Sequence, residues 1–259
     1  MIAVLIPTYM PSKYFDLCLN SLENQTLSKD KYTVYICLNG PKKNYEHYIE
    51  SLLCKYSFNY KYLYTEKAGV SNARNNLIES SIEPYICFVD DDDQISQSYL
   101  EELLNKSSDT CIGISNVKNF KSTTDITTES YIGRKFEILK NTEYSLFKSR
   151  EYYSSPCAKL ISRKIISDVR FDTKIALGED SLFMAMLSKK VKCVQKTSPS
   201  ACYFVYERVG SASRKKEKFK NKLQKIYYLN KQYIYMIPKG YNLIFILTRL
   251  VATTIQIIK

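Results

Sequence analysis

Residues 85–93, Tyr85-Ile86-Cys87-Phe88-Val89-Asp90-Asp91-Asp92-Asp93, decide the reading of this chain. The five apolar and aromatic residues follow Pro84 and form a short run that reads as a buried strand. Four carboxylates at its end repel one another and resist ionisation unless a cation or a proton compensates them. In open α/β sheets, ligands bind outside the carboxyl ends of the strands. A divalent metal holding a phosphorylated ligand is therefore the first reading of the stretch. The alternative is a solvated acidic turn that caps the next helix, expected to start near Ser96 or Ser98.

Upstream, the apolar run 2–6 ends in Pro7-Thr8-Tyr9 and reads as a first, central strand. Residues 15–22 have helical spacing, 32–38 read as a second strand closed by Asn39-Gly40-Pro41, and 45–56 as a helix. A third strand over 60–64 and a helix over 71–81 lead into the acidic strand. This alternation predicts right-handed βαβ units and a mixed, mostly parallel α/β sheet flanked by helices. Downstream, 110–117 reads as one strand and the polar, Thr-rich 122–130 as a surface loop. Residues 157–166 and 181–187 read as helices, and 191–195 and 201–206 as further strands.

The 259 residues fit one sizeable domain with an appendage. Of the 38 Lys/Arg, 12 fall in residues 208–259 against one acid, Glu217, so the net charge of +12 belongs to the tail. Residues 214–259 are thus separated from a domain over 1–213. In the tail, Asn242, Arg249, Thr253 and Gln256 form one polar stripe on an otherwise apolar helix over 241–258. At 1.5 Å per residue that helix is about 27 Å long, slightly short of a full span and interrupted by Arg249. A helix lying on a membrane surface is expected, and packing on the domain or on a second subunit in a homodimer is the alternative. The tail aromatics form no stacking platform, which argues against nucleic acid. The eight Cys form no CxxC pair or zinc spacing and are expected as buried free thiols. The chain opens on a strand rather than a basic leader, so a cytoplasmic protein, peripheral on the inner face of the membrane, is expected.

Three constellations carry chemistry. In the first, Asp90-x-Asp92 supplies the one or two carboxylates that suit Mg²⁺ or Mn²⁺ beside phosphate oxygens. In the second, Gly178-Glu179-Asp180 places two acids at a helix start, where one can act as a general base or simply favour the helix dipole. In the third, Glu66 through Asn75 is a glycine-containing turn feeding a helix, with Arg74 able to approach a phosphate. No GxxxxGK[ST], GxGxxG or EF-hand loop is present, which excludes the P-loop, dinucleotide and calmodulin-like classes.

In this order the segments resemble the family 2 glycosyltransferases, which have the GT-A (Rossmann-like) fold. The resemblance rests on Val4 to Tyr9, Cys18 to Thr26, Gly69 to Asn75, Phe88 to Asp93, Lys159-Leu160, Gly178 to Asp180 and Gly210 to Ser213. It implies a metal-dependent inverting transfer of a hexosyl or N-acetylhexosaminyl group. The donor would be a nucleotide diphosphate sugar, a UDP-sugar in the first instance. The acceptor would be a hydroxyl of a glycan or lipid-linked molecule, as in polysaccharide or O-antigen assembly. Pro7, Thr8, Tyr9, Asn39, Glu66, Arg74, Asp90 and Asp91 would bind the nucleotide, and Asp92 the Mn²⁺ or Mg²⁺. Asp180 would be the catalytic base with Glu179 beside it, and Lys159 and Ser211 would lie on the acceptor or phosphate side. Leu38 departs from the family, many members of which carry an Asp there to read the base. A nucleotidyltransferase and a non-catalytic nucleotide-sugar-binding module are the alternatives.

Overall fold

The computed structural model describes residues 1–207 and 219–255. An apolar strand β1 (Ile2–Thr8) is buried along its whole length. Helix α1 (Lys13–Glu23) begins where the Ser12 hydroxyl accepts from the Tyr14 N–H, and it buries Phe15, Cys18, Leu19 and Leu22 against the sheet. Then follow β2 (Tyr32–Asn39), α2 (Tyr45–Leu53), β3 (Asn59–Thr65), α3 (Val70–Ser80) and β4 (Tyr85–Phe88). β1, β2, β3 and β4 pair in parallel, so the ends of β1, β2 and β4 open on one edge. Full burial of each Val, Leu or Ile in these strands stabilises by about 1.5–3 kcal/mol, which makes this block the rigid frame of the molecule.

After the acidic turn come β5 (Gln94–Ile95) and α4 (Tyr99–Lys106), whose start at Ser98 matches the predicted helix. Residues 110–117 are not one strand. β6 (Cys111–Ile114) stays in the main sheet, and after Ser115 the chain crosses into β7 (Asn116–Phe120) of a second sheet. The Thr-rich loop contains a short strand β8 (Thr127–Glu129) paired with β7. Next come α5 (Tyr131–Ile138) and β9 (Thr142–Glu143).

The helix expected over 157–166 is instead a buried strand β10 (Lys159–Ser162) followed by the single turn α6 (Arg163–Ile166). β10 runs antiparallel between β4 and β6. Covered on both faces, such a strand shows no alternation, and its continuous apolar run mimics a helix. The chain continues through α7 (Glu179–Leu187), β11 (Cys193–Lys196), β12 (Cys202–Tyr206), α8 (Phe219–Met236) and α9 (Leu243–Ile255). The main sheet has the order β3-β2-β1-β4-β10-β6-β11-β9, and the second β5-β12-β7-β8.

Two Cys expectations are corrected. Cys111 and Cys193 stand opposite each other on the parallel strands β6 and β11 and form a disulfide across 82 residues. Cys54 is an exposed thiol, whereas Cys18, Cys37, Cys87, Cys157 and Cys202 are buried and free. The thiols therefore give no argument for a reducing compartment.

Two members of the polar stripe, Arg249 and Thr253, face the protein; Asn242 is exposed just before α9, and Gln256 lies outside the described residues. Arg249 and Thr253 are buried, while Leu243, Ile244, Leu247, Val251 and Ile255 are exposed. The reversal has a local cause, since carbonyls of the segment before β10 accept from Arg249 and Phe245 packs on Tyr153 with ring centroids 5.0 Å apart. α8 in turn covers the start of α7. Gly178, at φ +95°, has no room for a side chain, because a Cβ there would lie 2.7 Å from Leu229 Cδ1. Among the described residues no helix is long and apolar enough to cross a membrane.

Candidate active site

The parallel register brings four predicted segments to one edge. At the end of β1, Pro7 and Thr8 are buried, and the Thr8 hydroxyl donates to Asp91 Oδ2. Tyr9 is half exposed and its ring lies across Gly40, whose positive φ and missing Cβ allow the approach. Asn39 is buried at the end of β2. Its amide donates to the Thr8 carbonyl at 2.7 Å and accepts from the Gly69 N–H at 2.9 Å. Asn39 thus ties the end of β1 to the turn that starts α3. Glu66 is exposed just past β3, and Leu38 is fully buried in β2.

The four aspartates have different surroundings. Asp90 accepts from Arg74 at 2.9 Å, and its N–H donates to the Tyr203 hydroxyl at 3.0 Å. Asp91 is held by Thr8. Asp92 is half-buried at the tip. Asp93 turns inward, accepts from the Tyr206 N–H at 2.8 Å, and is 5% exposed. Burial, followed by the charges of Asp90 and Asp92, pushes the Asp93 carboxyl well above the usual range. One of the four acids is therefore a structural tie between the turn and β12.

Arg74 is the hub. It is 3% exposed on the inner face of α3, over the Phe171 ring. One guanidinium nitrogen donates to Asp90 and the other to Asp180 Oδ1. Burial opposes its charge, yet Asp180 and Asp90 outweigh burial and hold its pKa above the ordinary arginine value. The contact joins residues 106 positions apart and sets the start of α7 beside the acidic turn.

At that start, burial raises the Asp180 carboxyl despite Arg74. Burial and the neighbouring Asp180 charge push Glu179 up to about 7. Glu179 is 6% exposed and its Oε2 has no hydrogen-bond partner. Perturbed acids facing a cavity are the pattern of acid–base chemistry. Two cavities flank this region and share Glu151 and Ser154 as lining. One, of about 350 Å³, is lined by Asp90, Asp93, Cys157, Lys159 and Tyr203 among others. Lys159 is buried and donates to the Ser155 and Cys157 carbonyls at 2.6 Å each, and burial lowers its pKa to about 8. The second cavity, of about 430 Å³, is lined by Glu179, Asp180, Arg150 and Arg249 among others.

Sequence reasoning on the chain missed Tyr203, Glu151, Arg150 and Arg249. Tyr203 and Arg150 carry no local signal, and Arg249 stood out only as a break in an apolar helix. Ser211 lies outside the described residues.

The acidic turn fits a divalent cation by donor chemistry. Among the described residues no cluster of three or more His, Cys, Asp or Glu side chains could form a cage. A protein donor set of one or two carboxylates, completed by diphosphate oxygens and water, is what Mg²⁺ and Mn²⁺ accept. Asp92, with Asp90 two residues before it, would supply that set.

A family model described as glycosyl transferase family 2 matches residues 3–170. The glycosyltransferase GlyA of Streptococcus pneumoniae is 28% identical over 227 residues, covering 82% of this chain and 31% of that protein. The poly(ribitol-phosphate) beta-N-acetylglucosaminyltransferase TarS of Staphylococcus aureus is 24% identical over 218 residues, covering 80% of this chain and 36% of that protein. The chain thus spans about a third of the length of these curated relatives. The crystal structure of S. aureus TarS 1-349 in complex with UDP-GlcNAc has a TM-score of 0.77 at 20% identity, covering 98% of this chain and 72% of that one. That likeness shows the fold, which is GT-A. With the family model spanning β1 through α6, the acidic turn and Arg74 included, the chain belongs to glycosyl transferase family 2.

Proposed function

We propose that the chain is the transfer unit of an inverting glycosyltransferase. It moves a hexosyl or N-acetylhexosaminyl group from a UDP-sugar to a hydroxyl of a glycan or lipid-linked acceptor. The observation that carries this reading is the single guanidinium of Arg74 on both Asp90 and Asp180. The shared contact holds Asp180 next to the acidic turn, which supports reading it as a base beside a diphosphate site. The TarS structures in complex with UDP-GlcNAc and with UDP support the choice of uridine.

Tyr9 and the buried Pro7–Thr8 corner form one wall for the base, and Asn39 holds that wall against the Gly69 turn. Glu66 and Arg74 border the nucleoside side, and Asp91 keeps the end of β1 in place through Thr8. Asp180 takes the proton of the acceptor hydroxyl as its oxygen attacks C1 of the sugar. Glu179 shares the proton load at the same helix start. Mn²⁺ or Mg²⁺, when bound at Asp92, supplies positive charge to the diphosphate leaving group. Holding donor and acceptor in line lowers the barrier further. A thermal-shift screen tests the reading, because a bound ligand stabilises by mass action. UDP-sugars with Mn²⁺ should raise the midpoint by several degrees. No shift with any nucleotide sugar would refute it.

The tail helix α9 adds a surface. Leu243, Leu247, Val251 and Ile255 recur every four residues and are 45–58% exposed, in a tail rich in lysine. An anionic membrane surface suits this ridge, with each nearby Lys adding about 1 kcal/mol. In vesicle sedimentation, Leu247→Glu with Val251→Glu should release the protein from phosphatidylglycerol vesicles. Unchanged binding contradicts the membrane assignment, as does loss of a dimer instead.

A further inference from the structure

The 430 Å³ cavity beside Asp180 is lined by a buried arginine that forms no ion pair among the described residues. Arg249 reaches it from α9 and is 7% exposed. Its Nη2 donates to the Arg150 carbonyl at 3.0 Å, its contact with the Tyr153 carbonyl is long at 3.5 Å, and its Nε has no partner. Among the described residues no carboxylate pairs with it.

None of the acids lining the same cavity forms an ion pair with Arg249. Asp180 is held by Arg74. Glu151 Oε1 pairs with Arg150 at 2.9 Å and with Lys135 at 3.4 Å, while its buried Oε2 has no hydrogen-bond partner. The neutral form of Glu179 is favoured by burial and by the Asp180 charge. Glu151 does act on Arg249 at longer range, yet burial outweighs it and the Arg249 pKa shifts downward. A buried cation without a counter-ion is costly, and a planar guanidinium whose Nη1 makes only a 3.5 Å contact matches an oxyanion.

We propose that this cavity is the acceptor subsite and that it takes a phosphate ester. Arg249, with Arg150 beside it, holds the phosphate while a hydroxyl of the same molecule reaches Asp180. The inference rests on the reading of Asp180 as the base and narrows the acceptor to an anionic class. It also gives the Arg249 side of α9 a function, since Thr248, Arg249, Ala252 and Thr253 form one wall of the site.

The test is titration of the full chain with glycerol 3-phosphate, glycerol, a polyprenyl phosphate in detergent, and UDP with Mn²⁺. Glycerol 3-phosphate should bind, and glycerol should bind at least tenfold more weakly. Loss of a charge-assisted hydrogen bond in Arg249→Gln should weaken the phosphate ester about tenfold or more. UDP affinity should stay within twofold. Arg249→Lys keeps the charge but not the planar guanidinium fork and should fall between the two, which preserves the test if the Gln variant misfolds. Binding of the polyprenyl phosphate alone supports the subsite with a lipid-borne phosphate. Equal affinity in wild type and Arg249→Gln, or no preference for phosphate ester over glycerol, overturns the inference. UDP binding without phosphate-ester binding sinks this inference alone, whereas absence of UDP binding sinks the donor-site reading.

Discussion

Asp180→Asn should lower turnover by 10²–10⁴-fold, the usual contribution of a positioned general base, while leaving UDP affinity nearly unchanged. Asparagine still accepts from Arg74, so the start of α7 and the acidic turn stay in register. What it cannot do is take a proton. The pH profile separates this role from a structural one. Asp180 is raised by burial, and Glu179 is pushed to about 7 by burial and by Asp180. Protonation of this pair removes the base, so wild-type kcat/KM should fall as pH drops from 8 to 6. That acid limb lies above the ordinary carboxylate range. The residual rate of the Asn variant should lack it. A variant with normal turnover would show that the base lies elsewhere.

The second large effect is on stability. Arg74→Met removes the cation from between Asp90 and Asp180. Breaking a buried ion pair by deleting one partner costs about 3–5 kcal/mol. The carboxylates are 40% and 25% exposed, so water compensates part of the loss and the lower end applies, about 3 kcal/mol. For a chain of this size that is a fall of roughly 6–12 °C in melting temperature. The double variant Arg74→Met, Asp180→Asn should recover part of it, because the orphaned negative charge is gone. A fall below 2 °C in the single variant would show that Arg74 does not hold the two segments together.

The central strands were legible because burial on both faces writes itself as an apolar run, and β1 and β4 lie within a residue or two of the predicted bounds. The same property misled at β10, where Ala158, Leu160, Ile161, Ile165 and Ile166 also satisfy a helical spacing. The acidic turn was legible as a group, but the separate roles of its members were not. Asp93 ties β12 and Asp91 holds Thr8 through contacts made only once distant segments meet. The Cys111–Cys193 bond joins neighbouring strands that are 82 residues apart, which linear spacing does not encode. In α9 the stripe positions Arg249 and Thr253 turn toward the protein, the packing that the sequence left as the alternative. Periodicity defines a face and does not say which side the protein takes.

The account depends on the strand-end turn of β4 as a diphosphate site, and calorimetric titration of UDP in the presence of Mn²⁺ measures that most directly. Wild type should bind, and Asp92→Ala should bind at least tenfold more weakly, with the difference vanishing when Mn²⁺ is replaced by a chelator. Equal affinity of the two proteins with Mn²⁺ present, or no binding by the wild type, would contradict it.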